Sequence, residues 1–270
     1  MSGSAGEMPD FSGRTILAVF AHPDDESLAC GGTLARLADA GARVVLICAS
    51  QGEKGSVSDP SLLAGGDLGR IRSEELHEAA RILGLSEVLI LQHPDGDLRW
   101  AHVPELHAEI VSTIERCRPD GVITFAEDGL YWHLDHIGVH ERTYTAVKSL
   151  GTAAPPLYYV TMPHGVMREI VETARARGLT LDRKPFDIEP DAFGDHAKPP
   201  GFVIDVNAWV ARKLAALRCH RTQIGPNNPF RHIADEQARR LLGVEQFRRS
   251  PLEAGWDSII EQLGEPVVSS

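Results

Sequence analysis

The sequence has 270 residues, 43% hydrophobic and 24% charged, which is enough globular chain to bury a core without disulfides or structural metal. A formal net charge of −11 argues against a nucleic-acid partner, because gripping a phosphate backbone takes a basic stripe. No apolar run approaches the roughly 20 residues of a membrane span, so no membrane partner is expected.

The first 12 residues are small, polar and acidic, without the basic start and apolar middle of a signal peptide, and read as a flexible leader. Residues 15–20 (Thr-Ile-Leu-Ala-Val-Phe) read as a buried strand, and 26–40 as a helix stopped by Gly41. A second buried strand covers 43–49, followed by a Gly-, Ser- and Asp-rich loop over 50–67. A helix over 68–83 stops at Gly84, and a third strand follows at 87–92. Residues 104–116 form a helix with Pro104 in its first turn, 121–125 a fourth strand, and 135–150 another helix. Strands without polar alternation, separated by helices, predict an α/β, Rossmann-like fold: a mostly parallel central sheet with helices on both faces and right-handed crossovers.

Beyond Gly151 the pattern loosens. A strand is expected at 155–162, a helix at 165–178, a Pro- and Asp-rich connection at 184–200 and a strand at 202–206. Asn207 is placed to cap a helix running to about 221, and a further helix lies near 236–242. No linker cuts the chain, so 13–270 is expected to be a single domain. The four cysteines, Cys30, Cys48, Cys117 and Cys219, are widely spaced and lack a CxxC pair. They read as buried free thiols, which favours a reducing, cytoplasmic location. A homo-oligomer is compatible with the chain, although no pattern encodes one.

The chemistry concentrates in Ala21-His22-Pro23-Asp24-Asp25-Glu26, directly after the first strand. Open α/β sheets bind ligands beyond the carboxyl ends of their strands. Catalytic zinc takes three N or O donors and keeps one position open. His22 and Asp25 are three residues apart, so a tight turn can aim both at one ion while Asp24 points elsewhere. A third donor must come from another segment. The candidate is Tyr131-Trp132-His133-Leu134-Asp135-His136, which follows the fourth strand and so shares the sheet edge. Asp24 and Asp25 could also cap a helix, but capping leaves the His22 and His133/His136 coincidence unexplained. His140, one turn beyond His136, is expected to pack beneath the site. The isolated His93, His102, His107, His164, His196 and His232 read as solvated loop residues.

These motifs resemble the PIG-L/LmbE-like family of zinc-dependent N-deacetylases, which includes the deacetylases of mycothiol, bacillithiol and glycosylphosphatidylinositol synthesis. Residues 21–26 resemble its first signature without a mismatch. His133-Leu-Asp-His136 resembles its second, although many members carry Pro at the position of Leu134. Gly52-Glu53, Arg72-x-x-Glu75 and, more weakly, Lys213 with His220-Arg-Thr-Gln223 extend the similarity over about residues 13–225. The resemblance implies His22, Asp25 and His136 as ligands of one Zn2+ per chain, with Fe2+ or Co2+ as substitutes. It implies Asp24 as general base and His133 as transition-state stabiliser, oriented by Asp135. Tyr131 sits where the mycothiol-pathway deacetylase also carries tyrosine and would donate to the same oxygen. Glu53 and Arg72 would hold the glucosamine ring. Asp95, in the loop after the third strand, would stand at the rim.

Physical chemistry agrees with those roles. Zinc lowers the pKa of bound water to about 7 and polarises a carbonyl. Consecutive side chains diverge, so Asp24 is free of the metal and can move a proton. A protonated His133, its charge favoured by Asp135, would face the developing oxyanion. The implied activity is removal of the N-acetyl group from an N-acetylglucosamine-containing small molecule, an acetylated aminosugar conjugate. One alternative is an amidase of the same family that cleaves another amide, such as a thiol S-conjugate. A non-catalytic α/β binding module is the other, and it would need a Gly-rich turn where this chain has His-Pro-Asp-Asp-Glu.

Overall fold

A computed structural model describes residues 9–180, 188–194, 197–254 and 259–267. The chain runs β1 (Thr15–Phe20), α1 (Asp25–Asp39), β2 (Arg43–Cys48), α2 (Leu68–Leu83), β3 (Glu87–Ile90), α3 (Val103–Cys117) and β4 (Gly121–Phe125). A single turn, α4 (Gly129–Trp132), precedes α5 (Leu134–Ser149), β5 (Leu157–Thr161) and α6 (Val166–Ala176). Then come β6 (Phe202–Asp205), α7 (Val210–Leu217), α8 (Pro229–His232), α9 (Asp235–Leu242), β7 (Val244–Arg249) and β8 (Gly264–Pro266).

One eight-stranded sheet has the order β3-β2-β1-β4-β5-β7-β6-β8. The first five strands are parallel, and β7, β6 and β8 join in antiparallel pairs. The sheet is therefore mixed but mostly parallel and flanked by helices, as the sequence predicted. β1 and β2 are buried at every position after the first, which is why their sequences are apolar throughout.

The strand order places the site. From β1 the chain steps outward to β2 and β3 through α1 and α2. It then returns across β1 to β4 through α3 and continues to β5 through α5. Right-handed crossovers in opposite directions put these helix pairs on opposite faces. Accordingly α1 packs on α2 and α7, while α3 packs on α5. The direction reverses between β1 and β4, and a crevice opens at such a switch point. Phe20 and Phe125, the last residues of β1 and β4, touch edge to face with ring centroids 4.9 Å apart. The segments after these two strands therefore start level, side by side.

Several expectations need correction. Residues 9–12 are part of the fold: Phe11 is buried and its N–H donates to the Ala40 carbonyl at 2.6 Å. Residues 1–8 lie outside the described residues, as do 181–187 and 195–196 of the Pro-rich connection. Asn207 caps no helix; its own N–H donates to Asp205, and α7 ends at Leu217 instead of near 221. β7 and β8 were not anticipated. β7 buries Glu245 beside Phe247 on its inner face, and an inward charge breaks the apolar pattern that marks a strand.

Candidate metal centre

The turn after β1 carries its own strain. Asp24 sits at φ 120°, ψ −25°, a conformation that L residues other than glycine rarely adopt. It is held from several sides. Its N–H donates to Glu26 Oε2 at 3.1 Å, and its carbonyl accepts from Leu28 N–H at 3.0 Å. Arg72 Nη2 donates to the Pro23 carbonyl at 2.6 Å and to Asp24 Oδ2 at 3.2 Å. The turn separates the two carboxylates. Asp25 accepts the His22 N–H at 2.8 Å and stands beside the imidazoles, while Asp24 pairs with Arg72.

The turn after β4 is strained too, with positive φ at Gly129 (56°), Leu130 (67°) and Trp132 (65°). Gly129 is needed here. A Cβ on it would lie 2.9 Å from Cβ of His136, and its carbonyl accepts from His136 Nδ1 at 3.1 Å. The His136 ring stacks flat on Phe125, with centroids 4.0 Å apart and planes 4° from parallel.

Between the two turns, three acceptors converge. His22 Nδ1 lies 3.3 Å from His136 Nε2 and 3.5 Å from Asp25 Oδ2, and His136 Nε2 lies 3.2 Å from Asp25 Oδ1. The outer nitrogens fix the tautomers. His22 Nε2 meets the carboxylates of Asp135 at 3.0 Å and Asp95 at 3.1 Å, and His136 Nδ1 meets a carbonyl. With these tautomers both hydrogens point outward, and two lone pairs and a carboxylate face one point that a cation can fill. Without metal a proton takes that place, because, against burial, the carboxylates of Asp135, Asp25 and Asp95 hold His22 well above the ordinary imidazole pKa. Two donors bound about 2.0–2.1 Å from one tetrahedral ion stand about 3.3–3.4 Å apart, which the distances match. These residues fit a divalent metal.

Other groupings surround this centre. His133 offers a third imidazole near His22 and His136, and His22, Asp95 and Asp135 form a second cluster. In that second cluster the carboxylates are already acceptors of backbone N–H groups. Asp135 takes Gly96 at 2.7 Å and Leu98 at 3.0 Å, and Asp95 takes Lys54 at 2.8 Å. Both carboxylates also meet His22 Nε2 and so orient its ring, the kind of outer support that proteins place behind a ligating histidine. The loop of Leu98 and Arg99 can lie this close because α5 has Gly138, where a Cβ would stand 2.6 Å from Arg99 Cα.

The expected pairing of Asp135 with His133 is thereby corrected. The Asp135 side chain serves His22, and only its backbone N–H reaches His133 Nδ1, at 3.3 Å. Burial and the neighbouring His136 and His22 rings push the His133 pKa down to about 3. His133 is thus a neutral imidazole at neutral pH, with its hydrogen on Nε2, instead of the imidazolium expected. Burial raises Asp24 to about 7, with Arg72 opposing and Asp25 adding to the rise. Asp95 goes the other way, to about 2, because its contact with His22 outweighs its burial.

A cavity of about 260 Å³ opens beside the centre, lined by His22, Asp24, Arg72, Asp95, Tyr131 and His133 and closed by Lys54, Gly55, Ser56, Gly96 and Gln223. Tyr131 packs its ring against His136 and Phe193. Burial pushes its hydroxyl well above the usual range, so it stays protonated. Arg72 belongs to the wall, not the mouth. It is 4% exposed, and its Nη1 donates to the Gly52 carbonyl at 2.9 Å. Glu53 does not line the cavity; its carboxylate accepts the Asp95 N–H at 2.9 Å. His140 packs beneath, bonded to the Phe125 carbonyl at 2.9 Å. His93, expected to be solvated, is buried against Glu109. His196 lies outside the described residues. Lys54, Gly55 and Ser56 were not singled out from sequence, because their place depends on how the loop after β2 folds over the sheet edge.

Fold and site together define an α/β enzyme with a candidate His/Asp metal centre and a near-neutral carboxylate beside a small cavity. The chain belongs to the PIG-L family, whose model, described as GlcNAc-PI de-N-acetylase, matches residues 17–147. It is an N-deacetylase, a hydrolase of the carbon–nitrogen bond in a non-peptide amide. A 1D-myo-inositol 2-acetamido-2-deoxy-alpha-D-glucopyranoside deacetylase from Acidothermus cellulolyticus is 34% identical, covering 87% of this chain and 88% of that protein. Among solved structures, the conserved protein TT1542 from Thermus thermophilus is 28% identical with a TM-score of 0.58, covering 88% of this chain and 94% of that one. The N,N'-diacetylchitobiose deacetylase from Pyrococcus horikoshii shares the fold at 24% identity and a TM-score of 0.60, covering 88% of this chain and 84% of that one. The reading as a non-catalytic module is set aside. Among the described residues, no helix is long and apolar enough to cross a membrane.

Proposed function

We propose that this chain removes the N-acetyl group from an N-acetylglucosamine conjugate, with zinc held by His22, Asp25 and His136. The observation that carries this reading is the convergence of two imidazole nitrogens and the Asp25 carboxylate on one point, next to a cavity that also exposes Asp24. When bound, zinc supplies an acidified water and Lewis-acid polarisation of the amide carbonyl. Fe2+ or Co2+ suits the same N/O donors.

The chain's own groups carry the protons. Asp24, with a pKa of about 7, accepts a proton from the attacking water and returns it to the amide nitrogen as the carbon–nitrogen bond breaks. The products are acetate and the free amine. Arg72 holds that carboxylate in place from behind. Neutral His133 and the Tyr131 hydroxyl are the donors for the developing oxyanion. Asp95 and Asp135 keep His22 in its ligating tautomer. The inositol-linked N-acetylglucosamine named for the Acidothermus relative is the first conjugate to try. Free, unpaired Cys30, Cys48, Cys117 and Cys219 support a reducing, cytoplasmic location.

The test is a panel of acetylated aminosugar conjugates and S-conjugate amides, offered to zinc-reconstituted protein with release of free amine as the readout. Amine should appear from the aminosugar conjugates, vanish with a chelator and return with added zinc. Release from S-conjugates alone would move the chain to the amidases, and release from neither would end the reading.

A further inference from the structure

Behind Asp24 lies a buried pair that this chemistry does not use. Glu26 and His220 stand 194 residues apart in sequence and meet at 3.0 Å between Oε1 and Nε2. They are 1% and 0% exposed. The other oxygen of Glu26, Oε2, accepts the N–H of Asp24, the residue at φ 120°. Ser27 Oγ donates to Oε1 at 2.5 Å, so both oxygens of the carboxylate are engaged. His220 Nδ1, in contrast, finds no hydrogen-bond partner among the described residues. Burying an imidazole with one unpaired nitrogen costs free energy, and an apolar side chain would fill the space without that cost. What the histidine contributes is its Nε2–H, aimed at Glu26.

The segment bearing His220 is itself fastened to the site. Thr222 donates to Glu75 from its N–H at 3.0 Å and its hydroxyl at 2.7 Å, and its carbonyl accepts from Ser58 N–H at 2.7 Å. His220 is thus a fixed donor on a rigid mount.

We propose that His220 and Glu26 are positioning residues: His220 fixes the Glu26 carboxylate, and Glu26 holds the Asp24 backbone in the strained turn that sends the Asp24 side chain to the cavity and Asp25 to the metal centre. The inference rests on Asp24 being the base of the proposed deacetylase.

Replacements of His220 by Gln, Asn and Ala test it. A Gln amide nitrogen reaches the place of Nε2, whereas an Asn amide reaches only that of Nδ1. His220→Ala and His220→Asn, assayed with saturating zinc, should lower kcat about 10- to 100-fold, the scale of a slightly misplaced catalytic group, with KM near the parent value. His220→Gln should recover most of that loss. The second readout needs no activity. In metal-free protein the Asp24 amide hydrogen should exchange faster in the Ala and Asn variants and at the parent rate in the Gln variant. If Ala proves unfolded, the Gln/Asn pair decides. Equal effects of Gln and Asn in both readouts, or no effect of either, overturn the proposal. If the parent releases no amine, the functional reading fails, but the exchange comparison still decides whether the pair holds the turn.

Discussion

The sheet has two halves that do different work. In the parallel half, β3-β2-β1-β4-β5, the segments after β1 and β4 supply His22, Asp24, Asp25, His133 and His136 from one edge. In the antiparallel half, the strands β7, β6 and β8 line none of the cavity, and the connection from β6 to β7 adds only Gln223. Its contribution reaches α1 from behind. Glu245 on β7 accepts the N–H groups of Gly32 at 3.0 Å and Thr33 at 2.7 Å, and Lys213 Nζ pairs with it at 2.6 Å. These bonds fall just past Cys30, where α1 leaves helical geometry, so Glu245 caps its second stretch. The front of the molecule gathers the polar groups of the site, and the back holds the helix that begins with one of them, Asp25.

Substitutions in the two halves should therefore fail differently. The largest loss of rate is expected at Asp24→Asn, about 100- to 10,000-fold in kcat with zinc content kept, measured by steady-state kinetics beside metal analysis. Next comes His133→Ala, about 100- to 1,000-fold in kcat with little change in KM. Asp135→Asn sharpens the contrast, because its carboxylate serves His22. It should weaken zinc about 10- to 100-fold in a competition titration with a chelator. A lowered kcat with unchanged zinc affinity would restore the discarded pairing with His133. In the back half, Lys213→Met leaves the buried Glu245 charge without its counter-charge. It should cost about 3–5 kcal/mol in denaturant unfolding while the folded fraction keeps its turnover.

The smallest effect concerns pH. A base must be deprotonated, so kcat/KM should fall as pH drops below the Asp24 pKa, about 7 without metal. A bound cation favours the carboxylate, so the limb of the zinc form lies lower. The same group affects stability. A folded pKa raised above the unfolded value of about 3.9 means that proton binding stabilises the metal-free fold. That contribution is full below about pH 4 and lost as pH rises through about 7. The Tm of metal-free Asp24→Asn relative to the parent should climb over that interval, and a flat difference would contradict the raised pKa.

The front half was readable because buried parallel strands are apolar without alternation and their ends announce the chemistry. The segment 21–26 and His136 could be placed at one sheet edge before any coordinates. What could not be read depends on long-range approach. The reach of Asp135 to His22 requires the 96–99 loop to lie against Gly138. Arg72 reads as a residue that holds the sugar ring until α2 packs it under Pro23. β7 hides behind the inward Glu245, whose partner Lys213 lies 32 residues away. His220 carried only a weak motif signal, since its bond to Glu26 spans most of the chain.

The central claim is that His22 Nδ1, His136 Nε2 and Asp25 surround one cation. Anomalous diffraction from zinc-loaded crystals of the parent protein tests it most directly. The account predicts one zinc per chain, about 2.0–2.1 Å from the two nitrogens and about 2.0–2.2 Å from an Asp25 oxygen, with Asp24 unbound. Zinc found instead on His22 Nε2 between Asp95 and Asp135, or no zinc between the two turns, would contradict it.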